Sequence, residues 1–185
     1  MKNRINYTII TLMVILSFSC GKKETKETII NETELINKLS ENNFYKEFFS
    51  YNIRPREEGR VYMIETDSIK EFWVNFDENT GITLSKSDEI YLDKKLKSIY
   101  SDKYLEVKET IIAELNKLIS FMFMNGIKYT VNIERKKIYF GLINGSLIER
   151  YNNAIVYEEI ESLKNFYDSV IVIDDNWVIL KKPKM

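Results

Sequence analysis

Any chemistry in this chain has to come from Asp, Glu, Lys, Tyr, Ser or Thr. The 185 residues contain no histidine and one cysteine, Cys20. Ser-His-Asp and Cys-His nucleophilic sites are therefore excluded, as are histidine-based zinc or iron centres. Carboxylate, phenol or amine chemistry, or an oxygen-ligated Ca²⁺ or Mg²⁺, would remain. No pair of carboxylates has a spacing that singles it out for acid–base work, and no cofactor is expected. The leading ligand-binding candidate is Tyr139 with Gly141 and Arg150. A mid-strand glycine costs stability and packs nothing, so it often marks the close approach of a ligand or another backbone. Tyr139 and Arg150 are expected to be cross-strand neighbours beside it, near Thr130 and Asn132, where they could hold an anionic or sugar-like ligand. Asp174, Asp175 and Asn176 offer oxygens, but three residues without a glycine-spaced acidic loop read as a hairpin turn. Arg54, Arg56, Glu57, Glu58 and Arg60 read as a solvated loop.

Cys20 sits where an apolar run becomes charged. Lys2 and Arg4 open the chain, and residues 7–18 are mostly apolar. Twelve residues make about 18 Å of helix, short of the roughly 20 residues a bilayer core needs but suited to a secretory signal. Ser19 precedes the cysteine and Gly21 follows it. Residues 1–23 resemble a bacterial lipoprotein signal with a relaxed lipobox, in which Leu16 stands one place early and Ser17 and Phe18 fill the box. The resemblance implies cleavage before Cys20 and acylation of it. Two or more acyl chains anchor stably, where one binds marginally. By the Gram-negative sorting rule, Gly21 rather than Asp after the cysteine implies the outer membrane.

Removal of residues 1–19 takes away Lys2 and Arg4 and moves the formal net charge from −1 to −3. That balance gives no basic footprint for nucleic acid. The expected partners are the membrane, through the lipid, and an envelope protein or glycan. The function read from this is an envelope lipoprotein acting as a non-catalytic binding or assembly module. Two alternatives stand beside it: an exported enzyme using carboxylate, Tyr or Lys chemistry on envelope polymers, and an immunity-type or inhibitor lipoprotein.

The elements that must position these residues are legible from periodicity. Residues 1–19 are the signal, 20–31 the lipidated cysteine and its tether, and 32–185 one domain, since a chain of this length can bury about 70% of its surface in a single core. Asn31 with Glu34 forms a capping-box start for a first helix, and Phe44 to Phe49 follow on a second short helical stretch. Residues 54–60 read as a loop, 60–66 as a strand, 68–71 as a possible helical turn, and 70–85 as a strand and hairpin around residues 77–81. Helices are predicted at 87–100 and 102–126, the second capped by Gly126, with its last residues buried on several sides. A meander covers residues 127–151, with turns at residues 134–137 and at Asn144-Gly145. On these turns one face gathers Ile127, Tyr129, Val131, Ile133, Ile138, Phe140, Leu142, Leu147 and Tyr151, with Glu149 as the exception, and the long helix packs on it. A short helix near 158–167 and a hairpin covered on both sides complete the chain. The fold class is α+β: a mainly antiparallel sheet, a long helix across one face, and smaller N-terminal helices.

Overall fold

The computed structural model describes residues 30–57 and 60–183. The fold is α+β, with one nine-stranded sheet in which every neighbouring pair is antiparallel.

The chain enters through α1 (Glu32–Ser40), whose start is fixed by Asn31: its side-chain oxygen accepts the Glu34 N–H at 3.2 Å. Leu35, Ile36 and Leu39 recur at helical spacing and are buried. A 3₁₀ segment, Glu41–Ser50, follows, kinked near its start by Asn42 and Asn43, both at positive φ, a conformation Asn tolerates. It drives Tyr45 and Phe48 into the core.

Strands β1 (Asn52–Glu57), β2 (Val61–Glu65), β3 (Phe72–Asp77) and β4 (Gly81–Thr83) form a meander. Residues 54–57 of the expected loop at 54–60 are thus strand. Pro55 is accommodated because the β1–β2 register shifts between Pro55 and Glu57, and an irregular position asks less of a residue without an N–H. The possible helical turn at 68–71 is instead a bend, in which the Thr66 hydroxyl accepts the N–H groups of Ser68 and Ile69.

Helices α2 (Lys86–Tyr100) and α3 (Tyr104–Met124) carry the chain back so that β5 (Ile127–Ile133) lies beside β1. The 21 residues of α3 make a rod of about 31 Å. Leu115, Leu118, Ile119 and Met122 form its buried stripe. Its last turn departs from expectation: Phe123 and Met124 are 46% and 72% exposed, and Gly126, at φ +66°, then reverses the chain.

Strands β6 (Lys137–Leu142) and β7 (Leu147–Tyr151) continue the sheet, α4 (Tyr157–Phe166) crosses, and β8 (Tyr167–Val172) and β9 (Trp177–Pro183) close it in the order β7-β9-β8. The last hairpin is covered only in part: β9 buries Trp177 to Leu180, but β8 is an edge strand with Ile171 and Val172 exposed.

The register corrects the expected face. Ile133 pairs with Lys137, Thr130 with Phe140 and Tyr129 with Gly141; Gly141 then pairs with Leu147 and Tyr139 with Glu149. Each turn uses three residues where four or two were expected, and a slip of one residue reverses every side chain. The inner face, under α1, α2 and α3, holds Thr130, Asn132, Ile138, Phe140, Leu142, Ile148 and Arg150. Tyr129, Val131, Ile133, Tyr139, Gly141, Leu147, Glu149 and Tyr151 lie on the outer face. The main core is the inner one. A smaller cluster of Tyr151, Val178 and Leu180, with Leu163 of α4, lies on the outer side.

Candidate functional site

The outer face of β5, β6 and β7 is a shallow groove with α4 as one wall, of about 490 Å³. Tyr129, Val131 and Ile133 of β5 line it, with Tyr139 of β6, Leu147 and Glu149 of β7, and Leu163, Phe166 and Tyr167 of the wall. Strand alternation places these residues here: β5 reads apolar at every odd position from Ile127 to Ile133, and all but Ile127 point outward, since a register irregularity between Ile127 and Tyr129 returns Ile127 to the core. The polar partners go inward. Thr130 is fully buried against the α-helical layer, and its hydroxyl has no hydrogen-bond partner among the described residues.

Glu149 is the one carboxylate in the groove floor, 2% exposed. The Tyr151 hydroxyl donates to its Oε2, and the Lys137 ammonium lies 3.8 Å from the same atom. Lys137 also sits 5.0 Å over the Tyr139 ring and 5.1 Å over the Tyr151 ring, a cation held by two aromatic faces. Burial pushes the Glu149 carboxyl above its ordinary pKa, and the Tyr151 hydrogen bond and the Lys137 charge offset this only in part. Burial, and then the hydrogen bond to Glu149, push the Tyr151 phenol up. Burial lowers the Lys137 pKa, but the Tyr139 hydroxyl and the Glu149 charge outweigh it and leave the ammonium stabilised. The site therefore combines flat aromatic surfaces, phenolic hydroxyls and a recessed carboxyl whose pKa burial raises.

Gly141 has a structural reason within this floor. The Tyr129 ring lies over it, so close that a Cβ at 141 would stand 2.2 Å from Cε1 and Cζ of that ring. The close approach inferred from the glycine is made by a cross-strand tyrosine.

The predicted trio is divided by the sheet. Tyr139 and Gly141 share the groove, whereas Arg150 is on the inner face, paired with Ile138. Its Nη2 donates to the Tyr45 hydroxyl at 3.2 Å, and its Cζ lies 4.6 Å from the Tyr45 ring and 5.4 Å from the Trp177 ring. Nε and Nη1 are buried and have no hydrogen-bond partner among the described residues. Arg150 therefore packs under the helical layer and takes no part in the groove. Asp174 makes a turn, its Oδ1 accepting the N–H groups of Asn176 and Trp177 at 2.7 and 2.9 Å. Arg54 pairs with Glu65 at 3.5 Å, and Arg56 stacks 4.3 Å over Trp73. Cys20, expected from the sequence to carry the lipid, lies outside the described residues, among which no helix is long and apolar enough to cross a membrane.

Sequence reasoning missed Tyr129, Glu149, Phe166 and Tyr167 as site residues. One signal was present: Glu149 stands out as the sole acid in an otherwise apolar set, and a buried acid is retained at a stability cost.

The fold and groove define an α+β protein with an open, aromatic-lined face. No family model matches the chain, and no curated protein or solved structure is significantly similar to it.

Proposed function

We propose that this chain is an envelope lipoprotein, acylated at Cys20 and held at the outer membrane, whose domain is a non-catalytic binding or assembly module working through the outer-face groove. One observation carries the binding role: β5 presents Tyr129, Val131 and Ile133 to the open face and buries Thr130. A strand selected for stability alone would do the reverse, and local rules are broken mainly where function requires it. Flat, low-entropy tyrosines suit adaptable contact with a polypeptide or a glycan. The anchor rests on the lipobox resemblance and the single cysteine.

Two measurements test this reading. Labelled palmitate should enter the wild-type chain but not Cys20→Ala, which should leave the membrane fraction. Capture from the protein's own membranes should recover a partner with wild type and lose it with Tyr139→Ala, provided circular dichroism shows an unchanged fold. Equal capture by both proteins would sink the groove as the contact surface.

One observation favours an exported enzyme as a second reading: Glu149, with its raised pKa, faces a groove beside two phenols and an amine. Under it, Glu149→Gln would abolish turnover of an envelope polymer without loss of binding.

A further inference from the structure

The two edges of the sheet differ. β4 and β8 are the edge strands, and an unpaired edge is a template for another chain unless it is blunted. β4 is blunted. It is three residues long, and its Ile82 N–H donates to Oδ1 of Asn116 on α3 at 3.1 Å.

β8 has neither protection. It runs six residues, Tyr-Asp-Ser-Val-Ile-Val, with no lysine, arginine or proline. The Ile173 N–H donates to the Trp177 carbonyl at 2.9 Å, which sets the phase of the ladder. Odd-numbered residues bond β9, so Asp168, Val170 and Val172 turn their N–H and C=O groups to the open side. Among the described residues no side chain takes these N–H groups. The rim beside them is apolar on both faces. Ile171, on the face of Ile179, is 39% exposed, and Val172, on the face of Val178, is 43% exposed. Water satisfies the backbone groups but leaves this rim wet, whereas an extended chain laid along β8 pairs the one and covers the other.

The edge is complementary to itself. A two-fold axis normal to the sheet sets β8 antiparallel to a second β8 and keeps each face with its like. With Val170 on the axis, Asp168 and Val172 pair across the junction and Val170 pairs with its own copy. Every outward N–H and C=O of β8 is then bonded. Ser169 stands opposite Ile171, and no like charges are opposed. Moving the axis to Ile171 would set Asp168 against Asp174, and moving it to Ser169 would set Val172 against Phe166, where α4 ends.

We propose that the chain forms a two-fold dimer through β8, with the sheet running from one copy into the other across Val170. A six-residue edge is small for an interface, so the dimer is reversible and depends on concentration. It depends neither on the groove nor on the anchor.

Sedimentation velocity of the full chain in mild detergent, over an about hundredfold range of concentration, should show monomer converting to dimer. Val172→Pro removes one outward N–H and spares the β9 ladder, since an edge strand accepts proline where its N–H faces solvent. With unchanged circular dichroism it should stay monomeric where wild type is largely dimer, and so should Val172→Lys. The register is read in Cys20→Ala chains, which hold no other thiol. There, Ser169→Cys mixed with Ile171→Cys should cross-link on mild oxidation several-fold more than either alone. A wild type that stays monomeric over the whole range would overturn the dimer and leave the edge to a strand of another protein. A dimer unchanged by both Val172 variants would put the interface elsewhere and overturn it equally. Cross-linking by Ile171→Cys alone would overturn the axis at Val170.

Discussion

Replacing Gly141 with alanine tests the outer face most directly. The new Cβ would stand 2.2 Å from Cε1 and Cζ of Tyr129 and 2.7 Å from Cδ1, contacts no relaxed structure keeps. The ring must leave its place. Overpacking of this kind costs about 1–3 kcal/mol, against which alanine in a strand interior regains about 0.5–1 kcal/mol relative to glycine. Tyr129 is only partly buried and can swing toward solvent, which holds the net loss to about 1–2 kcal/mol. A double-mutant cycle isolates the cause. Once Tyr129→Ala has removed the ring, Gly141→Ala should be neutral or mildly stabilising. Guanidinium unfolding at constant m gives all four stabilities. A Gly141→Ala protein as stable as wild type would refute the reasoning, as would a penalty that persists without the ring.

Three further outcomes follow from the same geometry. Because burial raises the Glu149 pKa above its ordinary 4.5, its contribution to stability is fully present below that pH and is lost as pH rises through the folded-state value; the stability difference between wild type and Glu149→Gln should therefore move against wild type with rising pH, and a difference flat with pH would count against a carboxyl whose pKa burial raises. Asn132→Ala should cost about 2 kcal/mol at near 1 kcal/mol per lost bond, since its Nδ2 donates to the Phe49 carbonyl at 2.6 Å and its Oδ1 accepts the Arg135 N–H at 2.9 Å; a thermal shift within error would argue that these bonds are not held in solution. Arg150→Met should leave stability within about 1 kcal/mol of wild type, because an apolar side chain of similar length removes two buried, unpartnered nitrogens; a much larger loss would mean the guanidinium has an unseen partner.

The helices were legible because their signals are local. Asn31 caps α1, Leu115 to Met122 recur at the period of a buried stripe, and Gly126 ends α3 at positive φ. The strands were legible as strands but not as faces, since register depends on turn geometry that the residues did not announce. The β5–β6 turn places Glu134 and Arg135 at φ +50° and +57°, conformations that usually call for Gly or Asn, so the sequence concealed a three-residue turn. At the next turn, the Gly145 N–H bonds the Leu142 carbonyl at 3.1 Å and the Leu142 N–H bonds the Ser146 carbonyl at 2.9 Å. That adds Ile143 to the loop and makes the second slip. Both errors moved β5 and β7 by one residue relative to β6. They therefore put Tyr139 and Gly141 on a surface with Arg150 that the folded chain does not have.

The same slips explain why the alternation of β5 misled. Apolar residues at odd positions argue for an inward odd face when one side of the sheet is solvated. Here the inner layer is already supplied by Phe48, Leu118, Ile119, Phe140 and Ile148, all fully buried, so β5 can place Thr130 there without emptying the core. Its Tyr129, Val131 and Ile133 are left for the other face, where α4 covers only the β7-β9-β8 end and the remainder stays open as the groove. The stability lost by burying a threonine hydroxyl without a partner is of the order of 1–3 kcal/mol. Selection for stability alone would remove it with a valine at 130. That it stands beside an outward aromatic row is the physical reason to test Tyr129, Tyr139 and Tyr167 as a contact surface, rather than the arginine beneath the helices.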